Sequence, residues 1–301
     1  MSDAKDRSLL ESLSEPSFKV LGYVVLALLF MYILTPLAWM FITAFHPKGS
    51  PFIEIPESPT IENFIMLFTG RPIGTKKLAA HPIYITNWIV NSLVIATATM
   101  LIVISLSALA GYSLSRLDFP GKSVFMCALL LIGFMPMIAK MLPLYKLLIS
   151  LGLIDNLFGA AVVVASGLLP AQTWIIKGFF DGIPRELEEQ AWVCGCTRLG
   201  SLSKVVFPLA GPGIAVVALM SFLSGWGNFT VPLILIRSEY LYPISLGIAS
   251  VFTHHPGEVG LVVDYGPICA LGVVYMIPSL VIYYFTRKHL MEVRLGKMEV
   301  R

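Results

Sequence analysis

The chain has 301 residues, of which 56% are hydrophobic and 13% charged, with a net charge of +3 and a mean hydropathy of +0.81. An average soluble domain carries about 25% charged residues, so so little charge could not cover a water-soluble globule of this size. The composition points to an integral membrane protein, and it excludes a disordered chain and a basic nucleic-acid binder.

The elements follow in chain order. Residues 1–19 form a polar N-terminal tail with no visible cleavable signal. The first apolar run covers residues 20–45 and contains Pro36, which membrane helices tolerate. Residues 46–86 read as a Pro- and Gly-rich loop, with a short helix near 59–64. The second run is 88–115 and stops at the turn 116–122. The third is 123–148, and the break at 150–156 opens the fourth, 157–179. A polar stretch over 177–204 precedes the fifth run, 205–236. A mixed loop follows at 237–263, then a sixth run at 265–285 and a basic tail. Each run reaches the ~20 residues that cross a bilayer. The expected organisation is a tail (1–19), a six-span domain (20–286) and a second tail (287–301).

Lys and Arg are unevenly divided. The tails, the 116–122 turn and the 177–204 stretch carry 14; the opposite side carries 5. The positive-inside rule then places both termini in the cytoplasm. The six runs as drawn contain no Asp, Glu or His. Proton-driven carriers place such groups in the pathway, so energy is expected from elsewhere. No phosphate loop of the GxxxxGK[ST] kind occurs either. A passive pore, or a subunit driven by a partner, is left. A membrane enzyme is disfavoured, because no catalytic cluster or nucleophile motif is present. Cys127, Cys194, Cys196 and Cys269 read as small buried residues, since Cys194-Gly195-Cys196 lacks zinc-ribbon spacing. His254, His255, Glu258 and Asp264 have no ligand spacing and read as a solvated or partner-facing loop.

The most specific signal spans residues 183–208. Pro184 suits a first helical turn, and Glu186, Glu188 and Glu189 favour its positive end. Leu187 and Ala191 share a face, Gly195 suits a sharp turn, and Leu199 and Leu202 lie on one face of a second short helix. Two short amphipathic helices joined at Gly195 make a knob that fits a groove on another protein.

This stretch resembles the EAA motif of ABC importer membrane subunits. Glu189-Gln190-Ala191 takes its first positions, Gly195 follows at the motif spacing, and Val205-Val206-Phe207-Pro208 closes it. Gln190, Val205 and Phe207 replace the usual Ala, Ile and Leu, and Cys194-Gly195 departs from the Asp-Gly frequent in the sugar branch. Asn91-Ser92-Leu93, residues 108–116, Phe119-Pro120-Gly121-Lys122, Met135-Pro136, Pro143-Leu144-Tyr145, residues 151–155, Trp226-Gly227-Asn228-Phe229 and residues 243–247 are similar to carbohydrate permeases. The likeness covers nearly the whole chain.

The resemblance implies an all-α membrane protein with six transmembrane helices and a cytoplasmic coupling-helix loop, the type I ABC importer permease fold. It implies a multi-pass protein of a prokaryotic inner membrane that pairs with a second permease, two ATPase subunits and an external solute-binding protein. ATP and Mg2+ would be used by the ATPases, with no cofactor and no ATPase site on this chain. Glu189, Ala191 and Gly195 become ATPase-docking candidates, and Glu188, Arg198 and Pro208 complete the set. The alternative is a stand-alone carrier or channel for a small polar solute.

Polar and aromatic groups inside spans are candidates for the substrate pathway. They are Asn91, Lys140, Tyr145, Gln172, Trp226, Asn228 and Phe229, with Lys177 and Thr230 beside them. Trp226, Asn228 and Phe229 offer the stacking and hydrogen bonding that sugars use. The other reading is that Asn228 bonds a neighbouring helix and Trp226 only packs. Lys140 either faces a watery cavity or an anionic substrate, or snorkels from near a helix end.

Overall fold

The structure is a computed structural model that describes residues 2–69, 82–253 and 265–296. Helices and turns account for these residues, with no strand among them. Apolar runs become helices because lipid offers the backbone no hydrogen-bond partners, and a helix satisfies its own. Among the described residues four helices are long and apolar enough to cross a membrane, and the number rises to six if each of two bent pairs is one span. The chain divides into two compact units.

The first unit holds residues 1–78 and 260–274. Its first helix, α1 (Ser2–Ala44), runs through the expected polar tail into the first span without a break. Helix α2 (Glu62–Thr69) begins after Thr60, whose Oγ1 accepts from the Glu62 amide. Asn63 on α2 is buried, and its Nδ2 donates to the Ala44 and His46 carbonyls at 2.8 and 3.1 Å. That side chain satisfies carbonyls which the end of α1 leaves open.

The second unit holds residues 79–259 and 275–301. Its helices are α3 (Pro82–Arg116), α4 (Lys122–Phe134), α5 (Met137–Ser150), α6 (Leu157–Asp181), α7 (Arg185–Val193), α8 (Arg198–Leu209), α9 (Gly211–Trp226), α10 (Thr230–Leu235) and α11 (Ile244–Thr253). Helix α12 (Tyr265–Gly296) begins in the first unit and continues in the second, and is helical well into the expected C-terminal tail. Helices α3, α6 and α9 pack together at the centre, around Val103, Tyr112, Ala165, Ile176, Phe180 and Val217. Small residues set their closeness, as membrane helices have no hydrophobic effect to press them together. A Cβ on Gly225 of α9 would lie 2.7 Å from the Ala96 Cα of α3, and one on Gly111 would lie 2.5 Å from Ile176 of α6.

Two expected spans are not straight helices. The third run breaks between α4 and α5 with a bend of 98°. Pro136 lacks an amide donor and forces Met135 into extended backbone, at φ −64° and ψ 130°. The fifth run bends by 82° between α8 and α9 and breaks again at Gly227-Asn228-Phe229 before α10. The expected loop 237–263 also contains helix α11 and a 3-10 turn at Glu239–Leu241.

That segment is fastened to the first turns of α3. Trp88 Nε1 donates to the Glu239 carbonyl, Asn91 Nδ2 to those of Tyr240 and Tyr242, and Ser92 Oγ accepts from the Ile244 amide. A second tie runs from the turn before α6. Asp155 sits at φ 55°, and its carboxylate accepts from the Arg237 and Ser238 amides at 2.9 and 3.0 Å and from Ser238 Oγ. Desolvation raises its pKa, but the hydrogen bonds from Ser238 and Arg237 outweigh this and hold the carboxyl below its ordinary value of 3.8.

Replacing Gly225 with Val is expected to force α9 off α3 and cost about 1–3 kcal/mol, read as a lower melting temperature of the purified protein. The Asp155 tie is complete above the ordinary carboxyl value and is lost as pH falls through the lower folded value. Amide exchange at Arg237 and Ser238, corrected for intrinsic rate, should therefore accelerate only on strong acidification, and Asp155→Asn should weaken protection already at neutral pH.

Candidate functional site

The sequence builds α7 and α8 from local signals. Pro184 is extended at φ −55° and ψ 134°, and α7 starts directly after it with Glu186 and Glu188 in its first turn. Gly195 ends the turn after α7 at φ +86°, a left-handed conformation that favours glycine. Its amide donates to the Trp192 carbonyl at 2.9 Å, and the Cys196 amide donates to Ala191 at 3.0 Å. A Cβ on Gly195 would meet nothing within 4 Å, so the constraint is conformational rather than steric. Thr197 Oγ1 caps α8 by accepting from the Gly200 amide. A π-helical turn at Leu202–Val206 follows, then exposed Pro208 and the bend into α9.

Beneath this pair lies a buried polar cluster. Glu188 is 1% exposed and forms an ion pair with Arg116 Nε at the end of α3. Tyr112 Oη donates to the other Glu188 oxygen at 2.9 Å. Arg116 Nη2 donates to the Ile183 carbonyl at 2.9 Å, and Nη1 reaches Ser115 Oγ at 3.3 Å. Ser115 Oγ in turn donates to Asp181 Oδ1 at 2.6 Å, and Lys177 Nζ pairs with Asp181 Oδ2 at 2.5 Å. Arg185 Nη2 donates to the Ser115 carbonyl. The ends of α3 and α6 are thereby locked to α7. Trp192 Nε1 donates to Ser201 Oγ at 3.0 Å, and the Arg198 guanidinium lies 5.9 Å from the centre of the Trp192 ring, tying α7 to α8.

The docking candidates separate into two sets. Glu188 is turned inward, so it holds α7 in place rather than presenting a face to a partner. Glu189, Arg198 and Pro208 are exposed, Ala191 is half-buried and Gly195 shapes the turn. Val193 is 90% exposed, with Leu199, Trp192 and Leu187 also exposed, so the knob presents apolar side chains among exposed charged ones such as Glu189 and Arg198. Cys194 and Cys127 are exposed too, unlike the buried thiols expected; Cys269 is buried. Tyr112, Ser115, Arg116 and Asp181 escaped the sequence reading. Their signal is position: Tyr112 and Ser115 lie in the last turn of the second apolar run, and Arg116 and Asp181 stand just past the ends of the second and fourth.

The pathway candidates do not converge on one place. Asn91 is spent on the carbonyls of the 237–243 segment. Lys140 Nζ donates at 3.2 Å to the Ile132 carbonyl, which also accepts from the Met135 amide where α4 ends. Tyr145 Oη accepts from Arg237 at 2.6 Å. Trp226 is 1% exposed, stacks between Phe222 and Tyr275, and donates to the Tyr275 carbonyl. Asn228 Oδ1 accepts from the Val231 amide and starts α10, while Phe229 and Thr230 are exposed. Lys177 is paired with Asp181. Gln172 is buried between α6 and α9. The residues His254, His255, Glu258 and Asp264 lie outside the described segments; among the described residues no group of three or more His, Cys, Asp or Glu is placed to hold a metal ion.

Residues 107–290 match the family of binding-protein-dependent transport system inner membrane components. The chain belongs to this family. The match takes in the Glu188–Arg116 ion pair, α7, α8 and the packed helices α6 and α9. Among curated relatives, the arabinooligosaccharides permease AraQ of Halalkalibacterium halodurans is 27% identical over 89% of this chain and 91% of its own length. The maltodextrin permease MdxG of Bacillus subtilis is 29% identical over 90% and 92%. The trehalose/maltose permease MalG of Thermococcus litoralis is 25% identical over 90% and 92%. The fold is that of a solved bacterial ABC transporter that imports the acidic polysaccharide alginate, with a TM-score of 0.74 at 19% identity, covering 91% of this chain and 97% of that one. This transport-family chain is therefore an all-α, multi-pass membrane protein.

Replacing Glu188 with Leu leaves Arg116 buried without its partner, a change that costs about 3–5 kcal/mol. Glu189→Gln on the exposed side should stay within about 0.5 kcal/mol of the parent. Thermal unfolding of the two purified variants checks the contrast.

Proposed function

We propose that the chain is a permease subunit of an ATP-binding-cassette importer and carries a carbohydrate delivered by an external binding protein. The observation that carries this reading is the family match over 107–290, which contains a knob that exposes apolar side chains and is locked to the spans at its base. The relatives' names support a saccharide cargo, an oligosaccharide, disaccharide or related polyol. One structural neighbour is an alginate transporter in complex with a pentasaccharide-bound periplasmic protein, which supports a binding-protein partner here.

In this reading the partners are a second permease, two ATPase subunits and the binding protein. ATP and Mg2+ are used by the ATPases. The excess of Lys and Arg supports cytoplasmic termini and a cytoplasmic α7–α8 knob. Val193, Leu199, Trp192 and Glu189 contact the ATPase. Displacement of the knob passes through Glu188 to Arg116 and Tyr112 on α3, and through the bend after Pro208 to α9. Both helices belong to the central packed set, so a movement of the knob alters the access of the spans.

The test is reconstitution of the complete complex in liposomes. Glu189→Lys and Val193→Asp should each lower substrate-stimulated ATP hydrolysis by roughly tenfold or more, with the melting temperature unchanged. Full coupling in both variants removes the docking assignment. Solute uptake by this chain alone, without ATPases, overturns the importer reading in favour of a stand-alone carrier or channel.

A further inference from the structure

The three-helix centre contains a polar layer that the coupling mechanism does not use. Gln172 of α6 is 2% exposed, and its Oε1 has no hydrogen-bond partner in the protein. Its Nε2 meets only the Met220 sulfur of α9, at 3.9 Å. The next residue, Ser221, is 0% exposed, and its Oγ is also without a partner. Ser107 of α3 is fully buried, with one long contact of 3.5 Å to its own helix at Ile104.

Helix register brings Gln172 level with Ser107 on one side and with Met220, next to Ser221, on the other. Gly111 of α3 abuts Ile176 of α6. One turn back along each helix stand Ser107 and Gln172. Gly213 of α9 abuts Phe179 of α6, and seven residues from each along the two chains, in opposite directions, lie Met220 and Gln172, which touch. On one side Gly111 and Gly213 bring the helices into contact, and on the other Gly225 lies against Ala96.

An amide oxygen and a hydroxyl held away from water without partners cost free energy that neighbouring apolar side chains do not repay. Membrane helices usually resolve this by pairing such groups across the interface. Here Gln172 and Ser221 stand on adjacent helices and do not reach one another directly. A hydroxyl-bearing small molecule with two to four polar neighbours fits that geometry. A water molecule and a hydroxyl of the transported solute share this chemistry. The burial of both Gln172 and Ser221 favours water.

We infer that Gln172 and Ser221 hold an ordered water that bridges α6 to α9, with Ser107 of α3 beside Gln172. Gln172 on this account belongs to the wall of the bundle and not to the solute pathway. A bridging water gives α9 a polar contact that can be remade when the helices shift, whereas a direct bond would fix one register.

The test is a thermal double-mutant cycle on the intact complex, with Gln172→Met and Ser221→Ala. Each single change is expected to lower the melting temperature by several degrees, because it leaves the water and the other group unpaired. The double change should fall well short of the sum, as it removes the need for the water. A high-resolution map should show density within hydrogen-bond distance of Gln172 Oε1 and Ser221 Oγ. A single variant that melts at or above the parent temperature, or strictly additive shifts, overturns the proposal. So does an unchanged melting temperature with a raised KM for the solute in Gln172→Met, which would place Gln172 in the pathway. The cycle depends on no docking residue, so its failure leaves the importer reading standing, and failure of that reading leaves the water site testable by melting alone.

Discussion

A buried ion pair organises the end of the bundle from which α7 and α8 project. Removing a carboxylate and a guanidinium from water costs several kcal/mol for each, and attraction between them offsets this only with good geometry and further hydrogen bonds. Glu188 and Arg116 meet that condition with help from Tyr112, Ser115 and the Ile183 carbonyl. A nine-residue helix such as α7 is too short to hold itself in water. Its position is fixed because leaving Arg116 unpaired would be worse. The outer face of α7 is then free to carry apolar side chains that a partner covers.

The two bends follow a related logic. Both interrupt apolar runs, and polar groups stand at the first bend and at the later break after α9. Lys140 donates to a carbonyl at the end of α4, and Asn228 caps the start of α10. The bend after Pro208 turns the α8 segment into α9, which lies on α3 with only the width of Gly225 between them. A displacement at the knob thus has two rigid routes into the same three-helix centre. One passes by the ion pair to α3, and the other by covalent continuity to α9.

Much of this was legible in the sequence. The six apolar runs, the Gly195 turn and the two short helices around it follow from run length, glycine placement and apolar spacing. The breaks inside the third and fifth runs were harder to read. Pro136 was visible, but membrane helices often absorb a proline, and the bend depends on how freed carbonyls are satisfied in three dimensions. The direction of each glutamate was also hidden. Glu188 and Glu189 are adjacent in an acidic cluster, and only the placement of Arg116 some seventy residues earlier decides which one turns inward. The pathway candidates were chosen as costly polar groups in apolar runs. Most proved to be satisfied by backbone carbonyls, amides or rings of the same unit, a use that sequence spacing does not separate from solute contact.

The central claim is that α7 moves as one body with the end of α3. A pulsed electron spin resonance distance between labels at exposed Val193 and Leu117, taken in the assembled complex with and without ATP, tests it most directly. The account predicts a distance that stays constant while labels reporting on the bundle move. A change larger than the roughly 1–2 Å of an ordinary helix shift would contradict it, because α7 would then be sliding on α3 and the ion pair would not be the link.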